Sequence, residues 1–424
     1  MSKKESRIYA GSGVSQTPIF MPEKKGGPMN YEDEFSVSFK EEAALHQYLA
    51  RTEETAWWKR VPSSGLRVLT VSGHETMASG VPPEERNGIL ADTLGHTGLL
   101  LRGGGSTYFL GSTAMPTLLR RARISGPALS EVDRPVLAEI LNECLKVSRG
   151  KALLRFFEGK IRAVHAGDAK DYSVIPMTDI FMLASMYIDT DFARAKYREG
   201  CTDHVQTSAL WSVEDEKLCG AYAELLKHYG RETPGNLKTE IRITTSDVAA
   251  SGANISYSVR DGKNTIVLGQ SLKTIHRGSQ GIGQVEENLQ NLYQIYQETL
   301  KGMDKLFHIR IEHPANTMAG LMDSVKIGKK LIAETVETYR SETDDVPCTA
   351  YDVYCGICHA LFLAESQGAD VRTMMELEEN IARCITRNWK DYDLPGELAL
   401  TGKALRRKGG KRNNGRVQGG LLAA

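Results

Sequence analysis

The chain has 424 residues with 53 basic and 53 acidic side chains, so its formal net charge is zero. Hydrophobic residues make up 41% and charged residues 25%, a balance typical of globular proteins, which excludes a wholly disordered chain. At roughly 100–200 residues per domain, this length predicts two or three structural units that bury a core without disulfides or metals.

The first residues and the cysteines give an expectation about location. The N-terminus carries basic side chains but no apolar run, so it does not resemble a secretory signal. No window has the roughly 18 consecutive apolar residues of a membrane span. Seven cysteines, an odd number, argue against a disulfide framework and favour the cytoplasm.

The predicted elements begin after a disordered arm at 1–35, where Gly, Ser, Pro and Lys dominate without periodicity. The unit at 36–150 is predicted to contain a helix at 39–51, a strand from Leu66 and two strands around Gly103–Ser106. Two helices follow, the second capped by Ser130. Its predicted apolar stripe consists of Val132, Val136, Ile140, Cys144 and Val147.

The unit at 151–395 opens with a predicted hairpin whose turn is Glu158-Gly159. A helix at 178–186, a helix capped by Ser212 and strands around the Asp261-Gly262 turn follow. One long helix is predicted from Gly283, and further helices fill the last third. The predicted fold class is α+β, with strand hairpins in the centre, a helical C-terminal third, a disordered N-terminal arm and a basic C-terminal tail at 396–424.

Four stretches carry a resemblance to a known family: RAVHAGDAKDYSVIPMTDIF, TTSDVAASGANI, SLKTIHRGS and TAYDVY. Together they resemble the phage/plasmid-like family whose core is domain of unknown function nine-three-two. That family pairs an Arg-Ala strand with a polar turn, a Tyr and an Asp before a helix, and Arg162, Ala163, Tyr172 and Asp179 occupy those places. The resemblance covers about 150–366.

This resemblance implies a context and no catalytic residues. The context is a mobile genetic element, phage or plasmid, in the cytoplasm of a bacterial host. Phage single-strand annealing proteins are also α+β proteins with strand hairpins and long helices, and the likeness to them is an analogy at the level of fold.

A Gly-rich segment precedes the long predicted helix and is a candidate contact for nucleic acid. Backbone N–H groups at a helix N-terminus bind phosphate, but neither a P-loop nor a dinucleotide fingerprint is present. A nucleotide pocket, a contact to a nucleic-acid backbone and a plain connection therefore stay open. The candidate residues are Lys273, Arg277, Gly278, Gly281 and Gly283.

Two further basic segments are candidates. Arg120, Arg121 and Arg123 cluster on a predicted helix, where they form either a solvated face or a contact to phosphates. Residues 401–424 of the tail combine seven cations with Gly and Asn and no acid, which leaves the first 400 residues with 46 basic and 53 acidic side chains. Such a tail gives salt-sensitive affinity for nucleic acid, or it serves as a solubilising segment or docks on the acidic body of a neighbouring copy. Its cations are Lys403, Arg406, Arg407, Lys408, Lys411, Arg412 and Arg416.

Trp57-Trp58-Lys59-Arg60 mixes aromatic and basic residues, as surfaces that stack on unpaired bases do, but core packing of at least one Trp is the favoured interpretation.

Possible metal ligands are weighed against packing. Cys355, Cys358 and His359 match the Cys-x-x-Cys-His haem pattern, but covalent haem is attached outside the cytoplasm. Zinc would need four ligands at paired spacing, so packing within an apolar helix is the favoured interpretation. No metal or other cofactor is predicted.

The sequence favours a phage- or plasmid-type protein that binds nucleic acid, with single-stranded DNA preferred, and that anneals it as a homo-oligomer without catalytic chemistry. Two alternatives stay open: an interaction factor of a mobile element that binds a host or phage protein, and a metal-dependent nuclease. No hydrolase, zinc-protease or kinase signature is present, so the enzyme question stays open and leans towards no.

Overall fold

The structure is a computed structural model. It describes residues 30–168, 172–192, 194–249, 252–262, 264–269, 272–274, 281–400 and 405–408.

The elements follow one another in three groups. The first group is β1 (Ser36–Phe39), α1 (Glu42–Thr55), β2 (Trp57–Pro62), β3 (Arg67–Thr70), α2 (Arg86–Gly95), β4 (Leu99–Gly103), β5 (Ser106–Leu110), α3 (Ala114–Ala122), α4 (Arg134–Lys146), β6 (Lys151–Phe157) and β7 (Lys160–Ala166). The second group is α5 (Met177–Asp191), β8 (Ala195–Asp203), β9 (Thr207–Val213), α6 (Glu216–His228), β10 (Leu237–Thr245), β11 (Ala253–Asp261), β12 (Asn264–Val267) and β13 (Leu272–Thr274). The third group is α7 (Gly281–Gln290), α8 (Leu292–Phe307), β14 (Arg310–Ile311), α9 (Pro314–Ser324), α10 (Lys329–Thr343), β15 (Cys348–Thr349), α11 (Ala350–Ser366), α12 (Val371–Cys384), β16 (Glu397–Leu400) and β17 (Leu405–Lys408).

The first sheet has the order β2-β6-β7-β5-β4-β3 and is antiparallel except for the β5–β7 pair. In a flat sheet its edge strands would be about 24 Å apart. The residues between β2 and β3 span only about 17 Å when fully extended, so the sheet must curl. The Lys59 ammonium on β2 accordingly donates to the Gly104 carbonyl in the β4–β5 turn, 3.2 Å away.

The hairpin β6–β7 completes this first sheet, so the sheet crosses the boundary predicted at 150–151. The hairpin itself was predicted, and Glu158 and Gly159 have φ angles of 47° and 77° in its turn. A positive φ at both turn residues is what a two-residue hairpin turn with matching twist requires.

The second sheet has the order β1-β8-β9-β10-β11-β12, with β13 also paired to β11. Its apolar face, with Ile241, Ile243 and Tyr257 nearly fully buried, belongs to the large core that the helices complete. The opposite face carries Arg242, whose guanidinium donates to both oxygens of Glu378 on α12 at 2.8 and 3.0 Å.

The α+β fold class and the helical C-terminal third are confirmed, whereas several local expectations are wrong. The N-cap of α6 is Asp215 and not Ser212, because Ser212 pairs with Glu240 in the second sheet. The helix that begins at Arg134 has Asp133 at its N-cap position, and the predicted cap Ser130 lies in a preceding 3₁₀ turn.

The long helix predicted from Gly283 is two helices, α7 and α8, separated at Asn291.

Both ends of the described chain are more structured than the sequence indicates. Asp33 falls within the predicted disordered arm, yet it is 1% exposed because it is paired with buried cations. In the predicted tail, β17 pairs with β16, with Arg406 opposite Ala399 and Arg407 opposite Leu398. Antiparallel pairing satisfies backbone groups without requiring apolar side chains, which a composition argument does not register.

Candidate nucleic-acid interface

Arg121 anchors the end of α3 to the start of β6. Its guanidinium donates to the carbonyl of Arg149 and, over 3.4 Å, to that of Lys151. The Ser148 hydroxyl donates to the Arg121 carbonyl over 3.0 Å. Hydrogen bonds between Arg121, Ser148 and backbone carbonyls therefore hold the last turn of α3 against the turn around Gly150.

This contact collects cations that the sequence keeps far apart. The Arg60 side chain joins them by donating from Nε to the Gly167 carbonyl at 3.1 Å, and the Gly167 N–H donates to the Lys151 carbonyl at 2.8 Å. We name the basic residues around this contact the Gly150 basic cluster. It consists of Arg60, Arg121 and Lys151, which these hydrogen bonds join, and of Arg120, Arg123 and Arg149, which lie close to them along the chain. All of these residues are exposed except Arg121, which is half-buried.

Among the described residues, the carboxylate that contacts the cluster is that of Asp168. Asp168 accepts from the Lys151 N–H at 3.4 Å, and a Cβ placed on Gly150 would lie 2.4 Å from Asp168 Oδ2. Six cations against this one carboxylate leave a surplus of positive charge. Because Arg60 and Arg121 are fixed through carbonyls, which are neutral, their charge is not cancelled by the contacts that position them.

An aromatic stack lies beside Arg60 on the same face of β2. Strand alternation places Trp58 and Arg60 together and sends Trp57 to the opposite face. There Trp57 stacks on Phe156 with ring centres 4.8 Å apart, at the edge of the core. The Trp58 ring stacks instead on Tyr172, with centres 5.6 Å apart.

Residues from the first and second sheets hold the stack in place. Tyr172 lies over His165 with centres 4.0 Å apart, and the Arg155 guanidinium lies 5.0 Å from the centre of Trp58. Asp247, which follows β10, accepts from Arg155 Nε at 2.6 Å, and its carbonyl accepts from His165 Nε2 at 2.8 Å. Burial and then the Asp247 carboxylate raise the pKa of Tyr172, so its ring is neutral.

The Gly-rich segment approaches the same stack. Gly281 begins α7 with a φ of 46°, and a Cβ placed on it would lie 3.7 Å from the hydroxyl of Ser173, the neighbour of Tyr172. Lys273 lies on β13 opposite Asn254. Gly283 is the third residue of α7. Arg277 and Gly278 lie outside the described residues.

The tail is not brought to this surface by the described residues. Arg406, Arg407 and Lys408 lie on β17. The other predicted cations of the tail, Lys403, Lys411, Arg412 and Arg416, lie outside the described residues.

Three side chains lie close enough together to hold a metal ion, but buried cations of the protein already pair with two of them. Within the described part of the chain, Asp33, Asp92 and His96 are the residues close enough to share an ion. The Lys160 ammonium, fully buried, already donates to Asp33 at 3.0 Å and to Asp92, and Arg162 also donates to Asp33. Burial alone would raise the pKa of Asp33, but the two cations hold it below its ordinary value. The group is therefore a charge-balanced structural cluster.

The cysteine motif lines a cleft of about 1020 Å³ beside α11. Cys358 is buried, and burial raises its pKa and raises that of Cys355 to about 12, so both thiols stay protonated. Among the described residues, Cys355, Cys358 and His359 do not form a metal-like group. The packing interpretation of this motif is the one that the geometry favours.

No protein-family model, no curated protein and no solved structure matches this chain. Among the described residues, no helix has the length and apolar character needed to cross a membrane.

Sequence reasoning identified the arginines of α3 and the mixed Trp-Arg segment, but it did not join them. Arg149 and Lys151 were missed, although they flank Gly150 directly before a strand. The two cations at the start of a strand were a signal that the sequence offered. That they lie beside the arginines of α3 depends on tertiary packing, which the sequence pattern does not show.

Proposed function

We propose that the protein binds single-stranded nucleic acid, with DNA preferred, along a surface that runs from the Gly150 basic cluster to the Trp58–Tyr172 stack. The observation that carries this proposal is the adjacency of Arg60 and Trp58 on one face of β2. Proteins that bind unpaired strands combine a cationic path for phosphates with aromatic rings on which bases stack.

The geometry supports binding that depends little on base sequence. The cluster supplies cations for phosphates, which carry no sequence information. Every base has a flat face, so stacking on Trp58 also tolerates sequence change. The start of α7 beside Ser173 adds backbone N–H groups, which suit an anion.

The resemblance to the phage/plasmid-like family supplies the proposed context. It supports action for a mobile genetic element in the bacterial cytoplasm, as a homo-oligomer that anneals strands without a cofactor. The cations of the C-terminal tail would add affinity that is independent of sequence.

The test is fluorescence anisotropy with a labelled oligo-dT strand and a matched duplex over a range of salt concentrations. The full chain should bind the single strand more tightly, with an affinity that falls steeply as salt rises. The double variant Arg120→Glu and Arg123→Glu should bind more weakly. Its logarithmic salt slope should be shallower by about 0.7 for each phosphate that the variant no longer neutralises.

The matched control is Lys40→Glu with Lys196→Glu, which changes the net charge equally at exposed residues beside β1 and on β8. It should retain most of the affinity. If the two double variants weaken binding equally, the cluster is not the binding surface. If the unaltered chain binds neither oligonucleotide at low salt, the proposed function is wrong.

One observation favours the interaction-factor alternative. Met182 and Met186 lie one turn apart on α5 and are 60% and 50% exposed, so they offer two adjacent, adaptable apolar side chains to a protein partner. A stable complex with a host or phage protein in nucleic-acid-free extracts, lost in Met182→Glu with Met186→Glu, would support it. The nuclease alternative gains nothing from the Asp33 cluster, because Lys160 occupies it.

A further inference from the structure

A small cavity of about 190 Å³ opens where the aromatic stack ends. It lies between the outer face of the β2–β6 pair and the residues that join β8 to β9. Trp58 belongs both to the stack and to the cavity wall, so the two features adjoin. Phe157 and Arg155 continue the wall, with the guanidinium 5.6 Å from the Phe157 ring centre.

The size of the cavity restricts its occupant. A water molecule takes up about 30 Å³ in the liquid, so the cavity equals about six waters. Sites for drug-sized ligands start at about 300 Å³. The cavity has room for one planar ring system. If that ring belongs to a nucleotide, the sugar and the phosphate must stay outside the cavity.

Two residues of the wall each hold a buried polar atom without a partner in the described part of the chain. Arg162 is 1% exposed, and its Nε has no hydrogen-bond acceptor there, although its other two nitrogens are bonded. The Nδ1 atom of His204 is likewise buried without a partner among the described residues. Burial lowers the pKa of His204, which keeps the imidazole neutral with one donor and one acceptor nitrogen.

The chemistry of the wall matches one kind of ligand. Aromatic rings and a guanidinium plane accept a flat ring by stacking, and a neutral imidazole can both donate to and accept from the edge of such a ring. Proteins that take a base out of its stack hold it in pockets of this composition. Phosphate is not favoured, because Asp203 and Asp247 also line the cavity.

We infer that the cavity receives one unstacked nucleobase of the bound strand, with Trp58 and Phe157 as ring contacts and His204 reading the base edge. This inference rests on the proposed function, since the Gly150 basic cluster would hold the adjoining phosphates. It adds a second base-dependent contribution to the one that stacking on Trp58 supplies.

The experiment compares two labelled oligonucleotides of equal length, oligo-dT and a backbone of abasic sites, bound by the full chain. One stacked base should make oligo-dT bind at least about fivefold more tightly. The variant Ala56→Leu adds bulk at the cavity wall, and Ala44→Leu adds the same bulk at an exposed position of α1. Ala56→Leu should reduce the preference by at least about fivefold, the contribution of one base, while binding of the abasic strand stays constant, and Ala44→Leu should keep the preference.

The outcomes separate the two proposals. Equal affinity of the unaltered chain for both strands overturns both the pocket and the stacking on Trp58, and leaves only the contact of the Gly150 basic cluster with phosphates. A full preference in folded Ala56→Leu overturns the pocket alone. Failure to bind either strand overturns both.

A second measurement does not depend on any variant. Ultraviolet crosslinking of the full chain to an oligonucleotide with 5-iododeoxyuridine should give adducts on Phe157 or His204, mapped by mass spectrometry. Because Trp58 belongs to both the stack and the cavity, a map without adducts on Phe157 or His204 overturns the inference.

Discussion

Two groups of cations lie in the first sheet and its neighbours, and they differ in what holds them. Lys160 and Arg162 are 0% and 1% exposed and are held by the carboxylates of Asp33 and Asp92. The Gly150 basic cluster is mostly exposed, and backbone carbonyls position Arg60 and Arg121. Carboxylates cancel the charge that they position, whereas carbonyls leave it available. The first group is therefore neutralised inside the fold, and the second is suited to an anionic partner.

The largest expected effect comes from breaking the buried group. Lys160→Met leaves two carboxylates near one remaining cation, and removing one partner of a buried pair costs about 3–5 kcal/mol. Urea unfolding should show this loss. Lys151→Met, at an exposed position, should change stability by less than about 0.5 kcal/mol and should instead weaken binding to oligo-dT.

The comparison fails if Lys160→Met costs less than about 1 kcal/mol, because the buried charges would then be separable from the fold. It also fails if Lys160→Met, measured where it is folded, loses as much affinity for oligo-dT as Lys151→Met does.

The two neighbouring tryptophans provide the next effect, since one faces the core and the other the stack. Trp57→Ala should cost about 2–4 kcal/mol of stability, because it removes a ring that stacks on Phe156. Trp58→Ala should instead weaken single-strand binding by about 1–3 kcal/mol, the range for one stacked base. Unfolding and anisotropy on both variants separate the effects, and equal loss of binding in the two would remove Trp58 from the interface.

How far the sequence predicted the fold depended on whether the signal was local. The hairpin turn at Glu158-Gly159 was predictable because a tight turn needs residues that accept positive φ. In α4 the predicted stripe was wrong, since Val136 and Val147 are 45% and 80% exposed. The buried face is Leu137, Ala138, Leu141 and Leu145. The residues of both stripes recur with the period of a helix, so the sequence pattern does not distinguish them. Packing of α4 against β3 determines which stripe is buried.

The candidate site was predictable only in pieces, for a related reason. The arginines near 120 were visible as a run, but Arg149 and Arg60 join them through contacts to backbone carbonyls, which no side-chain pattern encodes. The burial of Asp33 was missed because its partners, Lys160 and Arg162, lie more than a hundred residues away.

A smaller effect distinguishes two arginines within the cluster. Arg121→Ala removes the hydrogen bonds that join α3 to β6 and should cost about 1–2 kcal/mol of stability. Arg120→Ala removes an exposed side chain and should change stability by less than about 0.5 kcal/mol. Both variants should weaken oligo-dT binding, because each removes one positive charge. Thermal unfolding together with anisotropy tests whether the contribution of a side chain to stability is separate from the contribution of its charge to binding. A stability loss for Arg120→Ala that equals the loss for Arg121→Ala would contradict this.

The smallest effect concerns the start of α7 and has opposite signs at two glycines. Gly281 has a φ of 46°, so Gly281→Ala should destabilise by about 1 kcal/mol, because a Cβ is disfavoured in that conformation. Gly283 lies inside α7, and a Cβ there meets no atom within 4 Å, so Gly283→Ala should stabilise by about 0.5–1 kcal/mol through helix propensity. Thermal unfolding of both variants gives the signs. If both variants stabilise, the helix begins before Gly281 and its first N–H groups do not lie beside Ser173, which would take α7 out of the proposed interface.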